Sequence, residues 1–411
     1  MNEKKLGPLL LSGLMIGPVL GSGIILLPTL VYDTSGDYAI FAWFSIMMVT
    51  FLFSMLFAKI SIKYPGDGGV TISIYKAFGE KYRKLASIYF MLAASIGPIA
   101  VLMTAAKYVE RWGGFTLNEV FIGVILMAIG VLILLNDVSF IGRASFIFST
   151  FAVVILFSGG AVALWTNPPE QVITTSFDLS SFGGSLLLLF WMLVGWEIVG
   201  NYSGEVRNPD KTIKRAVLYS ASIVTVVSLT VAAAVQWSGK GAVTDLSVIL
   251  APLFGKFALP LISLVTLSLC MTTYILVTGG VSRLVASQQN LPAFIKFRNR
   301  KGVPIGSLML LGVIHMIVFT LVYFEMVTLD LLVKTADVFF IGNAFIAVAS
   351  VFVNFKGRLI RVTAGVISVV LVVILLFSSK LVLGFALLVA LGTIMTTSKD
   401  EGTLEAKAIH E

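Results

Sequence analysis

The chain has 411 residues, 58% of them hydrophobic and 12% charged, with 29 Lys and Arg against 21 Asp and Glu for a net charge of +8, and its mean hydropathy is +0.99. Soluble globular domains carry about 25% charged residues, so this composition excludes a soluble enzyme and describes a polytopic membrane protein. One cysteine, Cys270, excludes an intramolecular disulfide, and two histidines, His315 and His410, exclude a His-rich metal site.

Apolar runs of roughly 17–25 residues read as membrane spans. The sequence predicts twelve, near 7–31, 37–62, 84–108, 117–135, 142–165, 182–202, 213–236, 257–285, 303–323, 329–353, 360–378 and 380–397, in a single membrane domain over 1–411. Asn2-Glu3-Lys4-Lys5, followed by apolar Leu9–Leu14 and the small Gly21-Ser22-Gly23, imitates a cleavable secretory leader. The apolar run continues to Val31 and further spans follow, so the first helix is expected to stay as an anchor.

That first span holds Gly17-Pro18-Val19-Leu20-Gly21-Ser22-Gly23-Ile24-Ile25-Leu26-Leu27-Pro28. Inside a helix, glycine costs about 1 kcal/mol and proline about 3 kcal/mol relative to alanine, so five such residues argue against a continuous helix. Irregular backbone survives at membrane depth only where it is buried in protein or lines a watery cavity. A broken first helix with a binding site at its break is the expectation.

The loop after the second span, Tyr64-Pro65-Gly66-Asp67-Gly68-Gly69-Val70 to Ala77-Phe78-Gly79, is glycine-rich and then amphipathic, which suits a short re-entrant or surface helix. The sixth span supplies a second break. Phe190-Trp191-Met192-Leu193-Val194-Gly195-Trp196-Glu197-Ile198-Val199-Gly200-Asn201-Tyr202 carries two glycines, a carboxylate and an asparagine in what should be hydrocarbon. Breaks in helices one and six mark two halves of five helices, about 7–165 and 182–353, with 360–397 appended and 398–411 as a short cytoplasmic tail. Five is odd, so the second half is inverted relative to the first.

Two later loops are also patterned: Glu205-Val206-Arg207-Asn208-Pro209 with Lys211, Lys214 and Arg215, and the basic stretch from Asn290-Leu291-Pro292 to Pro304. With twelve spans, 23 of the 29 Lys and Arg fall on the side where the chain starts and 6 (Lys107, Arg111, Lys240, Lys256, Lys334 and Lys380) on the other. By the positive-inside rule both termini are cytoplasmic. The +8 charge is thereby explained by topology, and no nucleic-acid partner is expected.

Gly21-Ser22-Gly23-Ile24, Tyr64-Pro65 with Gly68-Gly69 and Ala77-Phe78-Gly79, Glu205 through Asn208-Pro209, and Gly302-Val303-Pro304 resemble, in matching order, motifs of the amino acid–polyamine–organocation transporters. Arg283-Leu284-Val285 with Ser287-Gln288, and the Trp191–Glu197 segment, are most similar to the bacterial exporters of methionine and branched-chain amino acids. The resemblance implies an all-α integral membrane protein of about 12 helices with a LeuT-like 5+5 inverted repeat. It also implies residence in the cytoplasmic (inner) membrane of a bacterium.

Half-helix N-termini offer unpaired N–H groups with partial positive charge, and C-termini offer carbonyls of the opposite sign. A substrate carboxylate is therefore expected at the N–H groups of Ser22, Gly23 and Ile24 and the Ser22 hydroxyl, with Gly21 and Gly195 permitting close approach. Close helix packing is the other reading of Gly21 and Gly23. The resemblance places the ammonium at carbonyls of Val19, Leu20, Trp191 and Val194, and puts a substrate-facing aromatic at Tyr274. Trp191 and Trp196 are further pocket-wall candidates, and packing is the alternative for all three aromatics. No Arg, Lys or Asp lies in the central thirds of helices one, three, six and eight, so a neutral, apolar amino acid fits best, with cationic amino acids or polyamines as the alternative.

Glu197 is expected to couple a proton or gate the cycle, or else to cap the break by accepting N–H bonds. Thr272 and Thr273 are candidate sodium ligands against first-helix carbonyls, although such hydroxyls usually bond their own backbone. Asp337 with Lys334 reads as a snorkelling pair near a helix end, and His315 as a packed core histidine. No P-loop, metal or cofactor site is expected. An intramembrane enzyme would need a paired acid and base, which Glu197 lacks, and a sensor would need a domain longer than the tail from Thr396 to Glu411. The expected function is secondary transport of a neutral amino acid, with protons, sodium or exchange as the coupling.

Overall fold

The computed structural model describes residues 6–114, 117–168, 173–174, 176–238, 246–288 and 291–410. Asn2-Glu3-Lys4-Lys5, Lys240 and Asn290 from the sequence reading lie outside them. The described chain is helical throughout: α1 Pro8–Leu20, α2 Gly23–Ser35, α3 Ala39–Lys63, α4 Val70–Phe78, α5 Glu80–Gly113, α6 Glu119–Leu134, α7 Val138–Thr166, α8 Leu179–Leu189, α9 Pro209–Ser238, α10 Ser247–Phe254, α11 Ala258–Ala286, α12 Ala293–Lys296, α13 Ile305–Tyr323, α14 Leu329–Asn354, α15 Arg358–Leu376 and α16 Lys380–His410. Among the described residues, 10 stretches are able by length and composition to cross a bilayer; the first, Pro8–Lys63, contains two expected spans, and Glu119–Leu134 is shorter.

Helix starts that the apolar runs misplace are set by caps. The Asp137 carboxylate accepts N–H bonds from Ser139 and Phe140 and begins α7 four residues before the apolar run suggests. Asn118 and Asp178 likewise cap α6 and α8, and Thr328 caps α14 at the start the apolar run gives. The amphipathic segment expected after the second span is α4, whose buried face of Val70, Thr71, Ser73 and Ile74 packs on α14. Ser73 Oγ and Ser350 Oγ lie 2.8 Å apart there. The short α10 precedes α11 and was not anticipated. α16 continues through the segment expected to be a separate tail.

The packing repeats when the two halves are exchanged. α5 rests on α6, α13 and α14, and its counterpart α11 rests on α13, α6 and α7. α1 packs on α9 as α8 packs on α3, and the pairs α5 with α11 and α3 with α9 map onto themselves. α15 packs on α3, α8 and α14, and α16 on α5 and α14. The result is a LeuT-like bundle in which the two broken spans lie at the centre, walled by α5, α11 and α14.

Candidate functional site

Both expected breaks are present. α1 ends at Leu20, and Gly21 turns the chain with φ 46° and ψ −147° while its N–H bonds the Gly17 carbonyl at 2.7 Å. A Cβ there would sit 2.7 Å from the Pro18 oxygen, so this turn requires glycine. Ser22 then heads α2, its carbonyl accepting from Ile25 and Leu26 at 3.2 and 3.1 Å. The N–H groups of Ser22, Gly23 and Ile24 have no backbone acceptor among the described residues, as the first turn of a helix dictates.

The sixth span is interrupted more deeply. After α8 the chain tightens into a 3₁₀ turn at Phe190–Leu193, opens at Val194 and Gly195 (φ 117°), and continues as a 3₁₀ stretch over Ile198–Glu205. The expected helix near 182–202 is thus α-helical only in its first part. Eight residues is long for a 3₁₀ helix. Close approach of the 66–69 loop accompanies it: a Cβ on Gly200 would lie 3.1 Å from Gly69 Cα, and the Asn201 amide donates to the Asp67 carbonyl at 2.7 Å.

The breaks touch. A Cβ on Gly23 would lie 2.8 Å from Met192 Sδ and 2.9 Å from Trp191 Cδ1, and one on Gly195 3.3 Å from Val19 Cγ2. Between them is a cavity of about 20 Å³, lined by Pro18, Gly97, Pro98, Val101, Trp191, Val194, Gly195, Thr273, Val277 and Phe340. No lining side chain is charged, and the space holds about one water. A second cavity of about 520 Å³ extends toward the end of the bundle away from the N-terminus. It shares Trp191 with the first, reaches Ser22 and Gly23, and is otherwise walled mostly by leucines, valines and Phe377, together with Lys334 and Asp337.

The predicted residues divide accordingly. Trp191, Val194, Gly195 and Thr273 line the small cavity, and Ser22, Gly23 and Trp191 the large one. Val19, Leu20, Gly21 and Ile24 form the first break. Among the described residues the Val19 and Leu20 carbonyls accept no bond from outside their helix, whereas the Trp191 carbonyl takes the Val194 N–H at 3.3 Å. Tyr274 lines neither cavity: it is 0% exposed, packs against Gly130 of α6, and meets His315 Nδ1 at 3.4 Å. Trp196 is likewise buried packing and lines neither cavity.

Glu197 is 1% exposed. One oxygen accepts the Gly195 N–H at 3.1 Å, the capping arrangement, and the other has no hydrogen-bond partner among the described residues. Thr272 and Thr273 bond their own helix, each hydroxyl donating to the Leu269 carbonyl at 2.8 and 2.9 Å. Their oxygens still face the first break, where a Cβ on Gly17 would lie 2.2 Å from Thr272 Oγ1 and one on Gly21 3.0 Å from Thr273 Oγ1. Asp337 and Lys334 face the large cavity, and Asp337 Oδ1 accepts no hydrogen bond among the described residues. Gly97, Pro98, Val101, Val277 and Phe340 were missed. Gly97-Pro98 carried the same glycine–proline signal as the first helix, while Phe340 carried none.

The three patterned loops meet at the end of the bundle where the chain starts. Arg283 donates to both carboxylate oxygens of Glu205 at 3.0 and 3.3 Å and lies 4.3 Å over the Tyr202 ring. Arg298 reaches Asp67 at 2.6 Å, and the Ser203 hydroxyl accepts the Gly66 N–H at 2.9 Å. Leu6 pairs its backbone with Glu205 and Arg207 on either side of Val206. These contacts tie the three loops to one another at this end.

A family profile described as amino acid permease matches residues 6–400. The uncharacterized amino acid permease YecA of Bacillus subtilis (strain 168) is 23% identical over 353 residues, covering 82% of each chain. The L-methionine/branched-chain amino acid exporter YjeH of Escherichia coli (strain K12) is 23% identical over 67% of this chain and 68% of its own. The cadaverine/lysine antiporter of the same organism is 24% identical over 76% and 73%. The crystal structure of MhsT in complex with L-phenylalanine superposes with a TM-score of 0.64 at 14% identity, covering 92% of this chain and 100% of that one, and shares the fold. Two broken spans pressed together in a bundle of apolar helices, and a profile match over nearly the whole length, lead to one conclusion: the chain belongs to the amino acid permease family and is a membrane transporter.

Proposed function

We propose that the chain carries neutral, apolar amino acids such as leucine and methionine across a bacterial cytoplasmic membrane, with both termini in the cytoplasm. The observation that carries this reading is the small cavity between the breaks. The uncharged walls suit an apolar side chain and the Val194 carbonyl an ammonium, while at the adjoining first break the unpaired N–H groups of Ser22, Gly23 and Ile24 suit a carboxylate and the carbonyls of Val19 and Leu20 an ammonium. Because the cavity holds about one water, substrate enters only as its walls move. The end where the three loops join and the end with the large cavity are read as the two gates of an alternating-access cycle. Glu197, with one bare buried oxygen, is the candidate proton carrier, and Thr272 and Thr273 beside the first break are candidate sodium ligands.

Uptake of labelled leucine and methionine into vesicles holding the purified protein, with and without proton and sodium gradients, tests the reading. Saturable uptake of both supports it, and uptake no greater than in empty vesicles overturns it. One observation favours a second reading, an amine exchanger: Asp337 places a carboxylate with an unpaired oxygen in the large cavity, and the cadaverine/lysine antiporter is among the relatives. Exchange of labelled cadaverine that outruns leucine and is lost in Asp337→Asn would choose it.

A further inference from the structure

Pro98 lies inside α5, beside the small cavity. Proline has no N–H, so the carbonyl four residues earlier, that of Ala94, loses its helical donor. A buried carbonyl without a partner is costly. The missing hydrogen comes from another helix: His315 of α13, itself 0% exposed, places Nε2 2.9 Å from the Ala94 oxygen. A carbonyl oxygen only accepts, so Nε2 carries the hydrogen, and Nδ1 is the nitrogen that faces the Tyr274 hydroxyl. The tyrosine and imidazole rings are 5.6 Å apart, centre to centre.

One imidazole therefore holds two helices from behind. α5 gives Gly97, Pro98 and Val101 to the small cavity, and α11 gives Thr273 and Val277, on either side of Tyr274 in sequence. A Cβ on Gly97 would lie 3.9 Å from Trp191 Cη2 and 3.6 Å from Phe340 Cε2, so α5 at Gly97 is in contact range of two further walls. We propose that His315 is a positioning residue for this cavity. By supplying the bond that Pro98 cannot make, and by bracing Tyr274, it fixes the spacing between α5 and α11 and hence the size of side chain the cavity admits. The inference rests on reading the cavity as the substrate site, but its central bond is testable without that reading.

The experiment compares His315→Gln, whose amide keeps a donor for Ala94, with His315→Leu, which has none. In vesicles, His315→Leu is expected to raise the KM for leucine about tenfold, the size of one lost buried hydrogen bond, and to let larger amino acids compete. His315→Gln should stay within about twofold of the unaltered protein. The same pair is examined without transport, by the rate at which a small methanethiosulfonate labels Val101→Cys in a Cys270→Ser protein. That rate should change at least about threefold with His315→Leu and return with His315→Gln, matching the loss and restoration of one hydrogen bond.

Thermal unfolding gives a third readout. Pro98→Ala restores the N–H that Ala94 needs, so the penalty of His315→Leu should shrink in that background. An unchanged KM together with an unchanged labelling rate in His315→Leu overturns the inference, as does a penalty that Pro98→Ala leaves intact. Failure of the unaltered protein to move leucine overturns the proposed substrate alone, since the labelling and unfolding results still decide the role of His315.

Discussion

The end of the bundle where the chain starts is held by directional polar bonds, with Arg283 on Glu205, Arg298 on Asp67 and Asn201 on the 66–69 loop. Toward the opposite end, the large cavity is bounded by Leu26, Leu30, Leu187, Leu329 and Phe377, with Lys334 and Asp337 the charged groups among its lining residues. Apolar contacts are short-ranged and non-directional, so leucine walls slide with little penalty. Buried polar bonds are lost in discrete steps, and each loss exposes a group that needs a partner. A transporter built this way has one end that latches and one that yields.

The sharpest way to break the contrast is to strike the point both ends share. Gly21→Ala adds a methyl 2.7 Å from the Pro18 oxygen at a φ that side chains avoid. It is expected to cost about 1–3 kcal/mol of strain and to cut transport at least about tenfold. Gly365→Ala in α15, where an added Cβ would meet no other element within 4 Å among the described residues, is its control and should leave uptake unchanged. Next in size is Arg283→Ala, which strands Glu205. Arg283 is 3% exposed but Glu205 is 24% exposed, so the loss is set at about 3 kcal/mol, the lower end for a broken buried pair. Thermal unfolding should show it, and a cysteine at Ser282 should become more reactive from the N-terminal face.

Asp67→Asn tests whether the latch depends on its exposed members. That carboxylate and Arg298 are 30% and 31% exposed, so the expected loss of stability is below about 1 kcal/mol, screened further by salt. The smallest effect belongs to the hollow end. Asp178 caps α8, and its hydrogen bonds with Ser181 hold the carboxyl below the usual carboxylate range. A lowered pKa contributes stability above the unfolded value of about 3.9 that is lost as pH falls through the folded value. Faster hydrogen exchange at the Ser181 N–H below about pH 4, with no change at Gly21, would show the cap released alone.

How far the sequence reveals this arrangement depends on the kind of signal involved. Glycine and proline at membrane depth announce Gly21 and Gly195, because their penalty within a helix is large and local. The charge asymmetry and the patterned loops announce the latch segments, although only packing shows that Asp67, Glu205 and the basic 298 region converge. Which face of α11 meets the cavity was not legible. Thr273 and Val277, four residues apart, share a face, while Tyr274 lies about 100° around the helix. An aromatic ring attracts attention by its chemistry, yet here it packs against His315 and Gly130. Gly200 and Asn201 mark Ile198–Glu205 as irregular, but nothing in its sequence distinguishes the 3₁₀ form it takes.

That stretch carries a consequence for the latch. A 3₁₀ helix advances about 2.0 Å and 120° per residue, against about 1.5 Å and 100° for an α-helix. Were the eight residues from Ile198 to rewind to the wider coil, their far end would retract by about 4 Å and swivel by about 160°. Glu205 would be carried off the guanidinium it holds, and the doorway would be unbolted by a change of pitch, with no force applied to the bolt itself.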